Sequence, residues 1–115
     1  MNIKRYEGNG RMSRAVVAGE TIYLCGQTSR DGGDIQAQTA AVLQKIDDLL
    51  AAYGSDKKHL LMVQIFLKDM ADFAGLNQVY DLWIEDGFEP ARACVQATMA
   101  APGILVEIVV TAAKA

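Results

Sequence analysis

Pro90-Ala91-Arg92-Ala93-Cys94-Val95-Gln96-Ala97, a Met/Pro/Gly break, and then Ile104-Leu105-Val106-Glu107-Ile108-Val109-Val110-Thr111 make up most of the last quarter of the chain. Both runs alternate with the two-residue period of a β-strand. Ala91, Ala93, Val95 and Ala97 share one face of the first run, and Ile104, Val106, Ile108 and Val110 one face of the second, so these faces are assigned to a core. With residues 98 to 103 as a hairpin loop and Ala97 paired with Ile104, an antiparallel register sets Cys94 opposite Glu107 and Arg92 diagonal to it. A guanidinium, a thiol and a carboxylate then occupy one surface. A carboxylate set among Ile, Leu and Val is costly to bury alone, and Arg92 is the nearest partner. One reading is a structural cross-strand ion pair. The other is a site for a small carboxylate, gripped by the planar fork of Arg92 through two parallel hydrogen bonds, with Glu107 holding water or moving a proton. Spacing leaves both open.

Upstream, Leu60-Leu61-Met62-Val63-Gln64-Ile65-Phe66-Leu67 is apolar at all positions but Gln64, the pattern of a central strand covered on both faces. On its C-terminal side, Asp72 is placed to cap a helix whose stripe is Phe73, Leu76, Val79, Tyr80, Trp83 and Ile84, with Gly87 as its stop. On its N-terminal side, apolar residues at 35, 39 or 40, 43, 46, 50 and 53 recur at threes and fours, predicting a helix capped by Asp34 and closed by Gly54. Before it, Ala15 to Ala18 and Thr21 to Cys25 read as a hairpin turned at Gly19-Glu20, and residues 3 to 6 as a short first strand. The order is strand, hairpin, helix, strand, helix, hairpin. This predicts an α+β sandwich, one mixed β-sheet with two helices packed on one face. Such a layout leaves the second face of strand 60–67, with Leu105 and Val109, bare, and a bare apolar face on a small protein predicts self-association.

At 115 residues the chain is a single domain. A hydrophobic content of 51% and a charged content of 22% exclude a disordered tract. A net charge of -3 and a pI near 5.0 argue against a nucleic-acid-binding role. The sequence shows no apolar signal core and no segment near the ~20 apolar residues of a membrane span, so a soluble, cytoplasmic protein is expected. Cys25 and Cys94 lack metal-ligand spacing and are expected as reduced thiols. His59, beside Lys57 and Lys58, is expected as a solvated junction residue, and no metal site is expected. Met70, Phe73, Tyr80 and Trp83 are assigned to the core at helical spacing, and Gly32-Gly33 lacks the context of a nucleotide loop, so no cofactor is expected. Cys94, with no histidine in its segment, is expected as a packed thiol whose backbone, not its sulfur, serves a site.

The residues Pro90-Ala91-Arg92-Ala93-Cys94-Val95-Gln96 with Val106-Glu107-Ile108 resemble the signature of the Rid proteins, the reactive intermediate (enamine/imine) deaminases also called YjgF-type. The resemblance extends through Ser13-Arg14-Ala15-Val16 and Tyr23-Leu24-Cys25-Gly26-Gln27. It is nearest to a subgroup with Pro-x-Arg-x-x-Val-Gln-Ala near the end and an early Arg, hydrophobic residue and Ser, here Arg11-Met12-Ser13. The resemblance implies a chorismate-mutase-like fold, a homotrimer with sites in clefts between subunits, and no metal or cofactor. It further implies that Arg92 anchors the carboxylate of a 2-imino acid or 2-aminoacrylate, that the backbone at Cys94 meets the nitrogen, and that Glu107 positions the attacking water. Arg11, Met12, Cys25 and Gly26 are then expected to line the substrate pocket. The chain departs from the pattern in two places: Gly10-Arg11-Met12-Ser13 stands where deaminating members commonly have Gly-Pro-Tyr-Ser, and Cys25 where Ser is commoner. The alternative implied by those departures is a non-catalytic trimeric module that holds a small carboxylate or acts as a chaperone.

Overall fold

A computed structural model describes residues 2–115. The elements follow in the order β1 (Ile3–Tyr6), β2 (Ala15–Ala18), β3 (Thr21–Leu24), α1 (Ile35–Ala52), β4 (Leu60–Leu67), α2 (Phe73–Trp83), β5 (Ala91–Gln96) and β6 (Val106–Ala113). The strands form one sheet of six in the order β1-β2-β3-β6-β4-β5, mixed because β4 and β5 run parallel while every other pair is antiparallel. The α+β sandwich expected from the sequence is therefore present.

The helices form where the apolar period placed them. Asp34 caps α1 by accepting from Ala37 N at 2.9 Å, and the helix closes ahead of Gly54, whose φ of +87° is the left-handed conformation that a Cβ disfavours. Val42, Ile46 and Leu50 are fully buried against the sheet residues Ile22, Val63, Ile65, Val106 and Ile108. The second helix differs from the sequence expectation at both ends. Asp72 makes no side-chain cap bond; Asp69 instead accepts from Ala71 N and caps a short 3-10 turn that runs into α2. The helix ends at Trp83, so Ile84 lies outside it and Gly87 is too far along to act as its stop. Trp83 Nε1 donates to both oxygens of Asp47 at 3.1 Å, tying α2 to α1.

The largest correction concerns the end of the chain. β5 and β6 do not form a hairpin. β4 lies between them: Arg92 pairs with Val63 and Cys94 with Ile65 across the parallel ladder, whereas Glu107 pairs with Phe66 and Ile108 with Ile65 across the antiparallel one. The physical reason is the intervening helix, since a β-α-β connection brings its strands together in parallel and leaves the following segment to pair on the far side of β4. Ala97 N bonds Leu67 O, not Ile104.

The face assignment of β5 also reverses. Ala91, Ala93 and Val95 are exposed, while Arg92 and Cys94 are partly buried on the helix side with Val63 and Ile65. On β6 the expected alternation is present: Val106, Ile108 and Val110 are buried, and Glu107 and Val109 lie on the other face. That other face is uncovered, as the single-sided helix layer requires, and shows Tyr23, Met62 and Val95 at 49%, 38% and 50% exposure. Leu105, expected to be bare there, packs against the edge of the core, its N–H bonded to Gln38 Oε1 at 2.9 Å. Gln38 is itself buried, and its amide nitrogen donates to Gly33 O at 3.1 Å and Gly103 O at 2.8 Å, so one side chain pins the loop before α1 to the loop before β6. Among the described residues, no helix is long and apolar enough to cross a membrane.

Candidate functional site

Arg92 is held by α2. One guanidinium nitrogen donates to Asn77 Oδ1 at 2.8 Å, and the guanidinium carbon lies 4.8 Å from the centre of the Tyr80 ring and 5.7 Å from that of Phe73. Asn77, Tyr80 and Phe73 occupy positions i, i+3 and i-4 of one helix, hence one face. Stacking on aromatic faces and a bond to a neutral amide orient the guanidinium without spending its charge, and Arg92 is in no ion pair among the described residues. The structural ion pair with Glu107 is therefore ruled out within one chain. Sequence reasoning assigned Phe73 and Tyr80 to a generic core; Phe73 is 38% exposed and both serve as the seat of Arg92. Asn77 was missed, although an amide between Phe73 and Tyr80 on the helix stripe was a signal in plain sight. Burial of the Tyr80 ring raises its phenol above the usual value, with Arg92 opposing the rise.

Cys94 lies two residues along the same strand face. Burial pushes its thiol up from the ordinary value, and the nearby Arg92 charge only partly offsets this, so the sulfur is a neutral thiol near pH 7 and not a ready nucleophile.

Glu107 stands on the opposite face of the sheet. It is partly buried, and its carboxylate lies against Gly26: a methyl group at Gly26 would collide with Glu107 Oε2 and displace the end of that flexible side chain. The segment is fixed beside β6 by reciprocal backbone bonds between Gln27 and Ile108 at 2.9 and 3.1 Å. Gln27 Nε2 donates back to Cys25 O at 3.1 Å and lies 3.3 Å from Cys25 Sγ.

Met12 and Cys25 line a separate cavity of about 610 Å³ between the loop after β1 and helix α1, together with Glu7, Arg14, Lys45 and Asp48. Asn9 Oδ1 accepts from Arg11 N and Met12 N at 3.0 and 3.1 Å, shaping the loop so that Met12 faces this cavity. Arg11 is exposed and does not line it. The seven expected site positions thus fall into groups: Arg92 with Cys94, Glu107 with Gly26, and Met12 with Cys25, while Arg11 stands apart. The single surface carrying Arg92, Cys94 and Glu107 that the hairpin register predicted does not exist in one chain. His59 sits in a 3-10 turn that leads into β4, with Nδ1 2.7 Å from Asp56 Oδ1, and that bond holds the Asp56 carboxyl below its usual value.

A family profile described as endoribonuclease L-PSP matches residues 2–114. A RutC family protein of Haemophilus influenzae is 41% identical over 114 residues, covering 97% of this chain and 98% of the relative. A crystal structure of a YjgF family member from Neisseria meningitidis superposes with a TM-score of 0.96 at 45% identity, covering 100% of this chain and 97% of that one. A Rid family protein of unknown function from Yersinia pestis gives a TM-score of 0.89 at 26% identity, covering 97% of this chain and 99% of its own.

Proposed function

The chain belongs to the endoribonuclease L-PSP family, whose members carry the names YjgF, Rid and RutC, and from that premise we propose that it hydrolyses 2-aminoacrylate or 2-imino acids to 2-oxo acids and ammonia in clefts between subunits of a homotrimer. The observation that carries this reading is Arg92: a partly buried guanidinium, oriented on two aromatic rings and an amide, and in no ion pair among the described residues. Such a group is prepared for an incoming carboxylate.

Glu107 serves the same reaction from a neighbouring copy. Packing the uncovered sheet faces of several copies together buries Tyr23, Met62 and Val95 and brings the Glu107 face of one subunit toward the β5 edge of the next. In that cleft Arg92 fixes the substrate carboxylate and Glu107 holds water against the imine carbon. The water oxygen bonds to C2 as one of its protons passes through Glu107 to the nitrogen. Collapse of the carbinolamine breaks the C–N bond, forms the C=O bond, and releases ammonia once the hydroxyl proton has moved to nitrogen. An enamine first takes a proton on carbon to become the imine. Imines hydrolyse unaided in water, so orientation and a proton relay suffice.

One specific feature favours a second reading, in which the cleft binds a carboxylate without turning it over: the flexible, half-exposed Met12 stands where deaminating relatives commonly place a tyrosine hydroxyl. Timing the disappearance of enzymatically generated 2-iminopropionate separates the two. Loss faster than the spontaneous rate supports the deaminase; an unchanged rate together with measurable 2-oxo acid binding supports the binder.

A further inference from the structure

Asn77 is partly buried on α2 and lines a cavity of about 410 Å³ together with Tyr80 and Arg92. Its amide has one orientation. A guanidinium carries donors and no acceptor, so the Asn77 atom 2.8 Å from the Arg92 nitrogen is the oxygen, and the amide nitrogen is the limb left free. That nitrogen has two N–H groups and no hydrogen-bond partner among the described residues. It is not buried either, since the buried side-chain polar atom without a partner among those residues is Thr39 Oγ1. The bond that seats Arg92 therefore also fixes an unspent neutral donor beside it.

We infer that Asn77 is itself a substrate-binding residue, whose amide nitrogen donates to the carboxylate that Arg92 anchors. The inference rests on the anchoring role given to Arg92 under the proposed function, and deepens it by adding a second group to the same site. A carboxylate offers about four acceptor positions on its two oxygens. The fork of Arg92 takes one on each oxygen, and Asn77 Nδ2 takes a further one on the nearer oxygen. The amide oxygen meanwhile holds Arg92 without cancelling its charge. An aspartate at this position would keep the hold on Arg92 but set a second carboxylate oxygen where the donor stands. The seat would survive and the site would repel an anion.

Calorimetric titration with 2-oxobutyrate, thermal melting and side-chain amide NMR test this on the intact protein and its Asn77→Ala, Asn77→Asp and Arg92→Ala variants, without needing turnover. In the parent, the Asn77 amide pair, identified by its absence from the spectrum of Asn77→Asp, is expected to move downfield in one proton and to saturate where the calorimetric isotherm does. Asn77→Ala is expected to lose about tenfold in affinity and Asn77→Asp at least about a hundredfold, while Asn77→Asp melts no lower than Asn77→Ala because its bond to Arg92 survives. A residue that only held the fold would give the reverse order, with Asn77→Asp binding better than Asn77→Ala. An amide pair unmoved at saturation, or Asn77→Asp binding as tightly as Asn77→Ala, overturns the inference; loss of binding in Arg92→Ala then shows that the anchoring role of Arg92 stands without it. Arg92→Ala binding like the parent overturns that role and the inference together, as does a parent that binds nothing. The expected shift and order without acceleration of 2-iminopropionate hydrolysis leave this inference standing and overturn the deaminase reading instead.

Discussion

Arg92 on β5 and Glu107 on β6 lie on opposite faces of one sheet, with β4 between their strands. Arg92 shares its side with Val63 and the helices, Glu107 with Phe66 and the uncovered surface. No rotamer change brings the two together within one chain. A reaction that needs both groups therefore needs two chains, and under the proposed function the oligomer is a condition of the chemistry.

The uncovered face should drive that assembly. Val95→Glu puts a charge at a half-exposed position on the outer side of the edge strand. Sedimentation equilibrium is expected to show the parent as a trimer and the variant as a folded monomer with unchanged far-ultraviolet dichroism. A parent that is monomeric across micromolar concentrations contradicts the assembly.

Arg92→Ala should separate binding from stability. Losing a bidentate, charge-assisted pair, at roughly 1.5 to 3 kcal/mol per hydrogen bond to a charged group, lowers 2-oxo acid affinity by at least about a hundredfold. The fold loses the stacking on Tyr80 and Phe73 and one bond to Asn77, about 1 to 2 kcal/mol together, and leaves no buried charge orphaned because Glu107 lies across the sheet. Titration and thermal melting on the same sample check both halves. Arg92→Lys should recover only part of the affinity, since an ammonium lacks the fork.

Gly26→Ala tests the bed of Glu107. The added methyl occupies the carboxylate's position, so Glu107 must swing away and the water it holds loses its place. Turnover of 2-iminopropionate is expected to fall by about tenfold or more while binding to Arg92 changes little. Equal losses in both would mean that the substitution disturbs the whole subunit.

Cys94 gives a pH signature. Its thiol is raised above the ordinary value by burial, so at a given pH its thiolate fraction lies below that of an unperturbed cysteine, and the reactive form develops only as pH rises past the normal thiol range. Alkylation by iodoacetamide, followed by peptide mass spectrometry from pH 7 to 10, should show modification at Cys94 rising at higher pH than in a model peptide. Rapid modification at pH 7 would restore the sulfur as a candidate nucleophile.

Much of this architecture was legible in the sequence because it is written in local pattern. The period of Ile35, Leu43, Ile46 and Leu50 gave α1, Asp34 its start, and the alternation of Val106, Ile108 and Val110 the buried side of β6. What local pattern does not carry is which strands meet. Six residues between Ala97 and Ile104 suit a hairpin loop, and nothing in either run announces that β6 will insert between β3 and β4. The face of β5 was misread for a related reason. Alanine alternating with Arg, Cys and Gln looks like a core face beside a polar one, yet on an edge strand the small residues are the exposed ones and the long arginine lies under α2. The site followed those errors: Arg92, Cys94 and Glu107 were found by resemblance and chemistry, but their arrangement depends on long-range pairing. Asn77 and the aromatic seat depend on the packing of α2, which the stripe of apolar residues suggested without showing what it would cover.

The division of Arg92 and Glu107 between subunits is tested most directly by mixing them. Co-expression of Arg92→Ala and Glu107→Gln chains carrying different tags, with purification of the mixed oligomers, places some intact Arg92 opposite intact Glu107 from the other chain. Each variant alone is expected to be inactive on 2-iminopropionate, and the purified mixed trimers, each with one intact site in three, should regain about a third of the parent's activity. Mixed oligomers as inactive as either variant alone would mean that both residues act within a single chain, and would contradict the inter-subunit site.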